Sequence, residues 1–516
     1  MPEQGQYNRT KKSIRNSVVA VSLQVIALLI GFWSRRIFLN HLGTEVLGLN
    51  TTANSLLQFL NLAELGIGGA IGVTLYKPLF ENDLKKIREV VALNGWLYKR
   101  IALVVIAGSA ILGLFFPQIF SKMDLPIWYA YASFGVLLYG SLLSYFVNYK
   151  QVLLSADQKE YKIQFSFKLV SIFKLVFEAF AVKYFDNGFL WWLGLELIFS
   201  TISAIVLTGT IHKEYPYLKE KVDDVSSLHR RYPDVTKKIR QIVFHKVGGF
   251  ILSQSSPILI YAFASLSLVA LYGNYTILTV NLGLILTAMF SGINGSVGNM
   301  VAEGDKNLIL KVFREMFSFR FFLAGVASIC LLVLTEPFLQ LWIGPQYLLG
   351  KTTLLLVVLI FILGQVRLTV DSFCYAYGIF WDIWAPLAEG AINIGTAILL
   401  GSRFGLNGVL AGVALSQIIV IYIWRPYLLF RWGLKMPFSY YIRIFAKHCF
   451  LFLLTGGLVL LLVRTVGVDA TGGFGMFLIY AVAVFILTSA VFGGLLCAFE
   501  PGMRSLINRM LNIVRK

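Results

Sequence analysis

The chain is dominated by apolar runs of about 20 residues, and few folds can use them. A helix needs roughly 20 mostly apolar residues to cross about 30 Å of hydrocarbon, where lipid offers its backbone groups no other partners. Candidate spans fall near 17–39, 45–76, 98–119, 127–153, 163–184, 189–211, 240–264 and 268–300. Six more follow near 315–335, 349–378, 385–403, 407–427, 441–463 and 473–497. Fourteen spans leave little else of the 516 residues, and the longest polar interval, 212–240, is too short to bury a core of its own. Composition agrees: 57% of residues are apolar and 14% charged, against roughly 45–50% and about 25% in soluble domains. The expected class is an all-α polytopic membrane protein. The first apolar stretch is long and lacks a small-residue cleavage site, so no cleavable signal peptide is expected.

Basic residues segregate strongly if the amino terminus is cytoplasmic. The inner segments then hold Arg9, Lys11, Lys12 and Arg15, a group from Lys77 to Arg100, the cluster from Lys213 to Lys246, Lys306 to Arg320, and Arg425 to Lys447. The opposite loops hold only Arg35, Arg36, Lys122, Lys183, Lys351, Arg403 and Arg464. This bias puts both termini in the cytoplasm. It also accounts for a net charge of +19 without nucleic acid as a partner, leaving anionic lipid as the partner of the inner loops. In the tail, Met503, Leu506, Ile507, Met510 and Val514 recur at helical spacing, as in a helix lying on the membrane surface.

Two stretches about 220 residues apart share punctuation. LGLN at 47–50 precedes Gly66, Gly68, Gly69 and Gly72 and then E-x-D-x-x-x-I at 81–87. LYGN at 271–274 precedes Gly292, Gly295 and Gly298 and then E-x-D-x-x-x-I at 303–309. Both run in the same direction, which suggests parallel six-helix halves related by an axis along the membrane normal. Recurrence of short glycine-bearing segments by chance is the plainer reading. The expected organisation is a first six-helix bundle at 1–211, a cytoplasmic linker at 212–239, a second six-helix bundle at 240–430, and two further helices with a basic tail at 431–516.

Polar residues at membrane depth carry the functional signal. Asn50, Asn54, Gln58, Asn61 and Glu64 fall on one helical face. Such a face meets protein or water: it makes contacts between helices, or it walls a hydrated cavity suited to hydroxyl-rich solutes. The fifth span carries Lys168, Lys174 and Glu178, and the tenth carries Arg367 and Asp371; in each, a cation and an acid four residues apart can pair. Glu196, Glu389, His245 and Lys246 add to these, and Arg35 and Arg36 end the first span. Arg35, Arg36, Lys168 and Lys246 can instead snorkel to the headgroups. An unpaired deep cation would attract phosphate, and a deep acid could take up a proton or Na+; self-neutralised structural pairs are the alternative. No GxxxxGK[ST], HExxH or GxSxG motif occurs, so no enzyme, cofactor or metal is expected. The four cysteines have no ligand spacing and read as small buried apolar residues.

The segment LGTEVLGLNTTANSLLQFLNLAELGIGGAIGVTLYKPLFENDLKKI, 42–87, resembles the bacterial polysaccharide transporters of the O-antigen flippase (Wzx) type within the multidrug, oligosaccharidyl-lipid and polysaccharide exporter superfamily. The resemblance implies a flippase for an undecaprenyl-pyrophosphate-linked oligosaccharide in the bacterial inner membrane, working by alternating access with other polysaccharide-assembly proteins. It further implies a cationic cavity. By depth, the residues to hold substrate are then Arg35, Arg36, Asn50, Asn54, Gln58, Asn61, Lys168, Lys174 and Arg367, and those to couple an H+ or Na+ gradient are Glu64, Glu178, Asp371 and Glu389. The competing readings are an ion-coupled multidrug or cation exporter of the same superfamily and a membrane-embedded enzyme of the polysaccharide pathway.

Overall fold

The computed structural model describes residues 2–64, 67–157, 159–220, 228, 231–232, 254–290, 297–298, 300–301, 303–379, 381–382, 384–467 and 470–514. Helices account for the described residues outside short turns. In the first part they are α1 (Pro2–Leu60), α2 (Ile67–Glu81), α3 (Leu84–Leu114), α4 (Phe116–Ile119), α5 (Trp128–Phe146), α6 (Gln151–Ala156), α7 (Glu160–Tyr184) and α8 (Gly188–Glu214). Then come α9 (Leu266–Phe290), α10 (Lys306–Trp342), α11 (Lys351–Ala376) and α12 (Trp384–Gln417). After widened π turns at 418–424 and 429–433 follow α13 (Phe438–Val466), α14 (Phe474–Phe499) and α15 (Pro501–Val514). The all-α polytopic class holds.

Among the described residues, eight helices are long and apolar enough to cross a membrane, or nine if the pair 128–146 and 148–156, bent by 51°, is one span. The difference from fourteen has physical causes. Residues 384–433 form one continuous helical stretch but reverse direction at Gly405 (φ 55, ψ −132). α7 is interrupted by lysines and glutamates and so is not a purely apolar span, and α2 has only 15 residues. Span 240–264 and linker 212–239 lie largely outside the described residues.

Contacts divide the chain into two compact units, Met1–Ala270 and Leu271–Lys516. In the first, α1 breaks at Gly43 (φ 83) and packs chiefly on α7, which packs on α8. Phe189, Trp192 and Leu193 of α8 meet Val46 and Val182 there, with Tyr129 stacked on Phe189 at 4.2 Å. In the second, α10 is central. Phe313 meets Phe373 and Phe430 edge-on at 5.2 and 5.4 Å, and Phe317, Phe321 and Phe492 extend the cluster. Lipid tails are as apolar as these rings, so helix association here draws on packing geometry, about 0.5–1.5 kcal/mol per aromatic pair.

The repeated E-x-D-x-x-x-I motif has the same local structure twice. Asn82 (φ 52) and Gly304 (φ 81) take the left-handed conformation that ends a helix. The next residue caps a long helix: Asp83 accepts from the Lys86 amide at 3.0 Å, and Asp305 from the Asn307 and Leu308 amides at 2.9 and 3.2 Å. Ile87 and Ile309 are each 2% exposed. Of the repeat's glycines, Gly66, Gly292 and Gly295 lie outside the described residues.

Charged side chains tie down the helix ends. Lys159 reaches Asp157 at 2.7 Å and Glu214 at 2.5 Å, Lys162 pairs with Glu214, and Tyr215 donates to Asp157 at 2.7 Å. Burial alone would lower the Lys159 ammonium; its two acids outweigh that and hold it above the usual lysine range. Glu89 of α3 accepts from Tyr232 at 2.7 Å and Arg231 at 3.1 Å, and burial together with that bond pushes the Tyr232 phenol up to about 12.

The tail helix departs from the expectation of a surface-lying segment. Met503 is buried, and Leu506 and Ile507 pack on the core of the second unit. Glu315, fully buried on α10, accepts from Ser505 at 2.6 Å and pairs with Arg509 at 3.0 Å. Only the last part, with Met510 and Leu511, keeps an exposed apolar face.

The hairpin at Gly405 depends on close backbone approach. A Cβ on Gly412 would lie 2.6 Å from the Ala397 amide nitrogen, and one on Gly408 2.0 Å from the Leu400 carbonyl oxygen. Gly412→Leu should therefore cost about 1–3 kcal/mol through overpacking and lower the thermal midpoint in detergent. Gly395→Ala, where a Cβ meets nothing within 4 Å, should not. Equal midpoints for the two variants would show that the hairpin tolerates separation.

Candidate functional site

In the first unit, α5, α7 and α8 enclose a cavity of about 460 Å³. Its polar wall is Ser144, Asn148, Ser171, Ser200 and Ser203, and its ionisable wall consists of Lys168 and Lys174. The lysines stand six residues apart on α7, about 120° apart around the helix at 3.6 residues per turn, and both border the cavity. Lys174 donates to both oxygens of Glu196 on α8, at 2.9 and 2.7 Å. The sequence spacing had pointed to Glu178 as its partner. Glu178 is 5% exposed, and its Oε1 has no hydrogen-bond partner. Lys168 is half-buried and has no hydrogen-bond or ion-pair partner among the described residues. The cavity thus presents one neutralised cation and one free one, an arrangement able to hold an anionic oxygen.

The second unit carries a longer ionic chain. Arg367 Nε donates to Asp371 at 3.0 Å, the pairing that the four-residue spacing predicts, and its Nη1 lies 3.8 Å from Glu389 on α12. Arg425 lies 3.5 Å from the buried Asp382. Asp371 is an electrostatic neighbour of Arg320, Arg367 and Arg425 together. Arg320 is 4% exposed, lies 3.8 Å over the Phe290 ring, and leaves Nε and Nη1 without hydrogen-bond partners. Sequence reasoning counted Arg320 and Arg425 among the inner basic residues; Arg320's depth within α10, four helical turns from its start, was the usable signal. A neighbouring cavity of about 360 Å³ lies between α9, α11 and α12, and among the described residues no charged side chain borders it.

The remaining predicted residues do not converge. Asn61 accepts from Ser141 at 3.2 Å, and Glu64 from Tyr98 at 2.9 Å, so the lower part of the polar stripe bonds within the unit. Asn54 is exposed, Gln58 half-buried, and Asn50 half-buried with its Oδ1 unpartnered. None of the five borders the 460 Å³ cavity. Arg35 donates to the Ala270 carbonyl at 3.2 Å, and Arg36 is exposed. His245 and Lys246 lie outside the described residues.

No family model matches the chain, and no curated protein matches it in sequence. Solved structures do. The fold is similar to that of the lipid II flippase MurJ in an inward closed conformation, with a TM-score of 0.63 and 15% identity over 93% of this chain and 99% of that one. It is also similar to a multidrug resistance MATE family transporter of the MOP superfamily in an inward-facing conformation, with a TM-score of 0.61 and 13% identity over 81% and 98%. The chain shares their fold.

The Lys174–Glu196 pair should behave as a buried ion pair. Lys174→Met alone strands two acids and should cost about 3–5 kcal/mol, whereas Lys174→Met with Glu196→Met should regain most of it. Thermal unfolding of the purified variants reads this; a double variant no better than the single one would mean that the pair does not hold α7 to α8.

Proposed function

We propose that this chain is a flippase that carries an undecaprenyl-pyrophosphate-linked oligosaccharide from the cytoplasmic to the outer leaflet of a bacterial inner membrane by alternating access, for surface polysaccharide assembly. The observation that carries this reading is the free Lys168 at a 460 Å³ cavity whose ionisable wall is entirely lysine. The whole-chain likeness of fold to a lipid II flippase supports it. A pyrophosphate brings several strong acceptor oxygens, which an unpaired ammonium meets with charge-assisted hydrogen bonds. The polyprenyl tail stays in lipid, where it loses no burial.

The multidrug exporter is the competing reading, favoured by the similar likeness to a MATE family transporter. A cation exporter needs an acid free to meet its cargo. No acid borders this cavity among the described residues, and Glu196, which Lys174 reaches from it, is already held. We further propose that Asp371 and Glu389, which share Arg367, take up a proton or Na+ during the cycle, with Glu178 and Glu64 as secondary candidates. Both termini are assigned to the cytoplasm on the bias of basic loops, which suits contact with anionic lipid.

Two measurements test this. Lys168→Ala should slow flipping of a fluorescent, short-chain polyprenyl-pyrophosphate oligosaccharide in proteoliposomes by about tenfold or more, with Lys168→Arg retaining most of the rate. An unchanged rate for the alanine variant would remove Lys168 from the mechanism. Glu389→Gln should flatten the response of the same assay to a pH or Na+ gradient, and a full response would argue against coupling there.

A further inference from the structure

Among the described residues, the cavity of the second unit is lined by uncharged polar and apolar side chains. On α9, the Thr276 hydroxyl donates to the Gly273 carbonyl at 3.1 Å, Thr279 to the Thr276 carbonyl at 3.2 Å, and Thr287 to the Gly283 carbonyl at 2.8 Å. A hydroxyl has one proton, so each of these oxygens faces the cavity with lone pairs alone. Across from them stand the carboxamides of Gln365 of α11 and Gln417 of α12, each with a buried Oε1 that has no hydrogen-bond partner, and Tyr272 adds a phenol. Hydroxyls and carboxamides thus border one space of about 360 Å³, within the range of roughly 300–1,000 Å³ typical of small-molecule sites.

An occupant that brings hydroxyl protons can meet the threonine lone pairs, and one that also brings acceptors can meet carboxamide N–H groups. Charge narrows the choice. No carboxylate borders the cavity among the described residues, so a cation would lose its hydration without a counter-charge. An anion would likewise find no lysine or arginine among them. What fits is a neutral group with several hydroxyl or amide protons, and the rings of Tyr272 and Phe361 offer apolar faces to its C–H surface. We propose that this cavity is a glycan subsite that holds one or more neutral sugar residues of the cargo, separate from the lysine-lined cavity of the first unit. The identity of the cargo rests on the flippase reading; the preference for a neutral donor does not.

The test is binding of soluble neutral trisaccharides, maltotriose and chitotriose, to the full-length protein in nanodiscs, followed by saturation-transfer NMR. Two variants address the site. Gly364→Leu fills the cavity from a position where a Cβ meets nothing within 4 Å, and it adds a better helix former. Gln417→Leu removes one acceptor. Wild-type protein should bind at least one trisaccharide. Gly364→Leu should abolish this, Gln417→Leu should weaken it about three- to tenfold, and Lys168→Ala should leave it unchanged. Absence of trisaccharide binding to wild-type protein, or equal binding by Gly364→Leu, overturns the subsite. So does displacement of the trisaccharide by tetraethylammonium at equal concentration, which would mark a cation site. A Lys168→Ala variant that flips at the normal rate while trisaccharide binding still depends on Gly364 would sink the pyrophosphate assignment and leave the glycan subsite standing.

Discussion

A charge carried into hydrocarbon has no water to fall back on, and that single requirement organises both units. Lys174 reaches across to Glu196, Arg367 is shared between Asp371 and Glu389, and Arg425 lies beside Asp382. Each pair joins groups on one helix or on adjoining elements, so neutralisation also holds the helices together. Against this background an unpartnered group is informative. Lys168 stands out as a cation at a cavity with no ion-pair partner among the described residues.

The two cavities divide the chemistry that a glycolipid headgroup would present. Among the described residues, one has a free ammonium and several serine hydroxyls, and the other has only uncharged side chains. A substrate with an anionic linkage and an uncharged glycan needs both kinds of surface, and a lipophilic organic cation needs neither. The fold itself does not choose between such cargoes, since it is similar to both a lipid II flippase and a multidrug transporter.

Much of the architecture was legible because the bilayer writes its thickness into the chain as apolar runs, and because capping aspartates such as Asp83 and Asp305 announce where helices start. Arg367–Asp371 was legible for a similar reason: both partners lie on one helix, where spacing dictates proximity. Lys174–Glu196 was not, since its partner comes from the next helix and no periodicity relates the two. Nor could amphipathicity say what would cover the stripe of Met503, Leu506 and Ile507; a docking surface on α10 and a membrane surface make the same demand on the sequence. The polar stripe from Asn50 to Glu64 reads as one helical face in the sequence, yet α1 gives way to a tighter turn at Asn61, and its members divide between internal bonds and exposure.

The matched capping turns before α3 and α10 set a common origin for counting along both helices. Fifteen residues beyond each capping aspartate stands Tyr98 in one unit and Arg320 in the other, the first bonded to a carboxylate and the second stacked on a ring. Because the starting point is anchored in the same way, equivalent depths can drift toward different chemistry with no shift in helical phase. Two helices opened in the same way are thus free to carry different chemistry at matching positions.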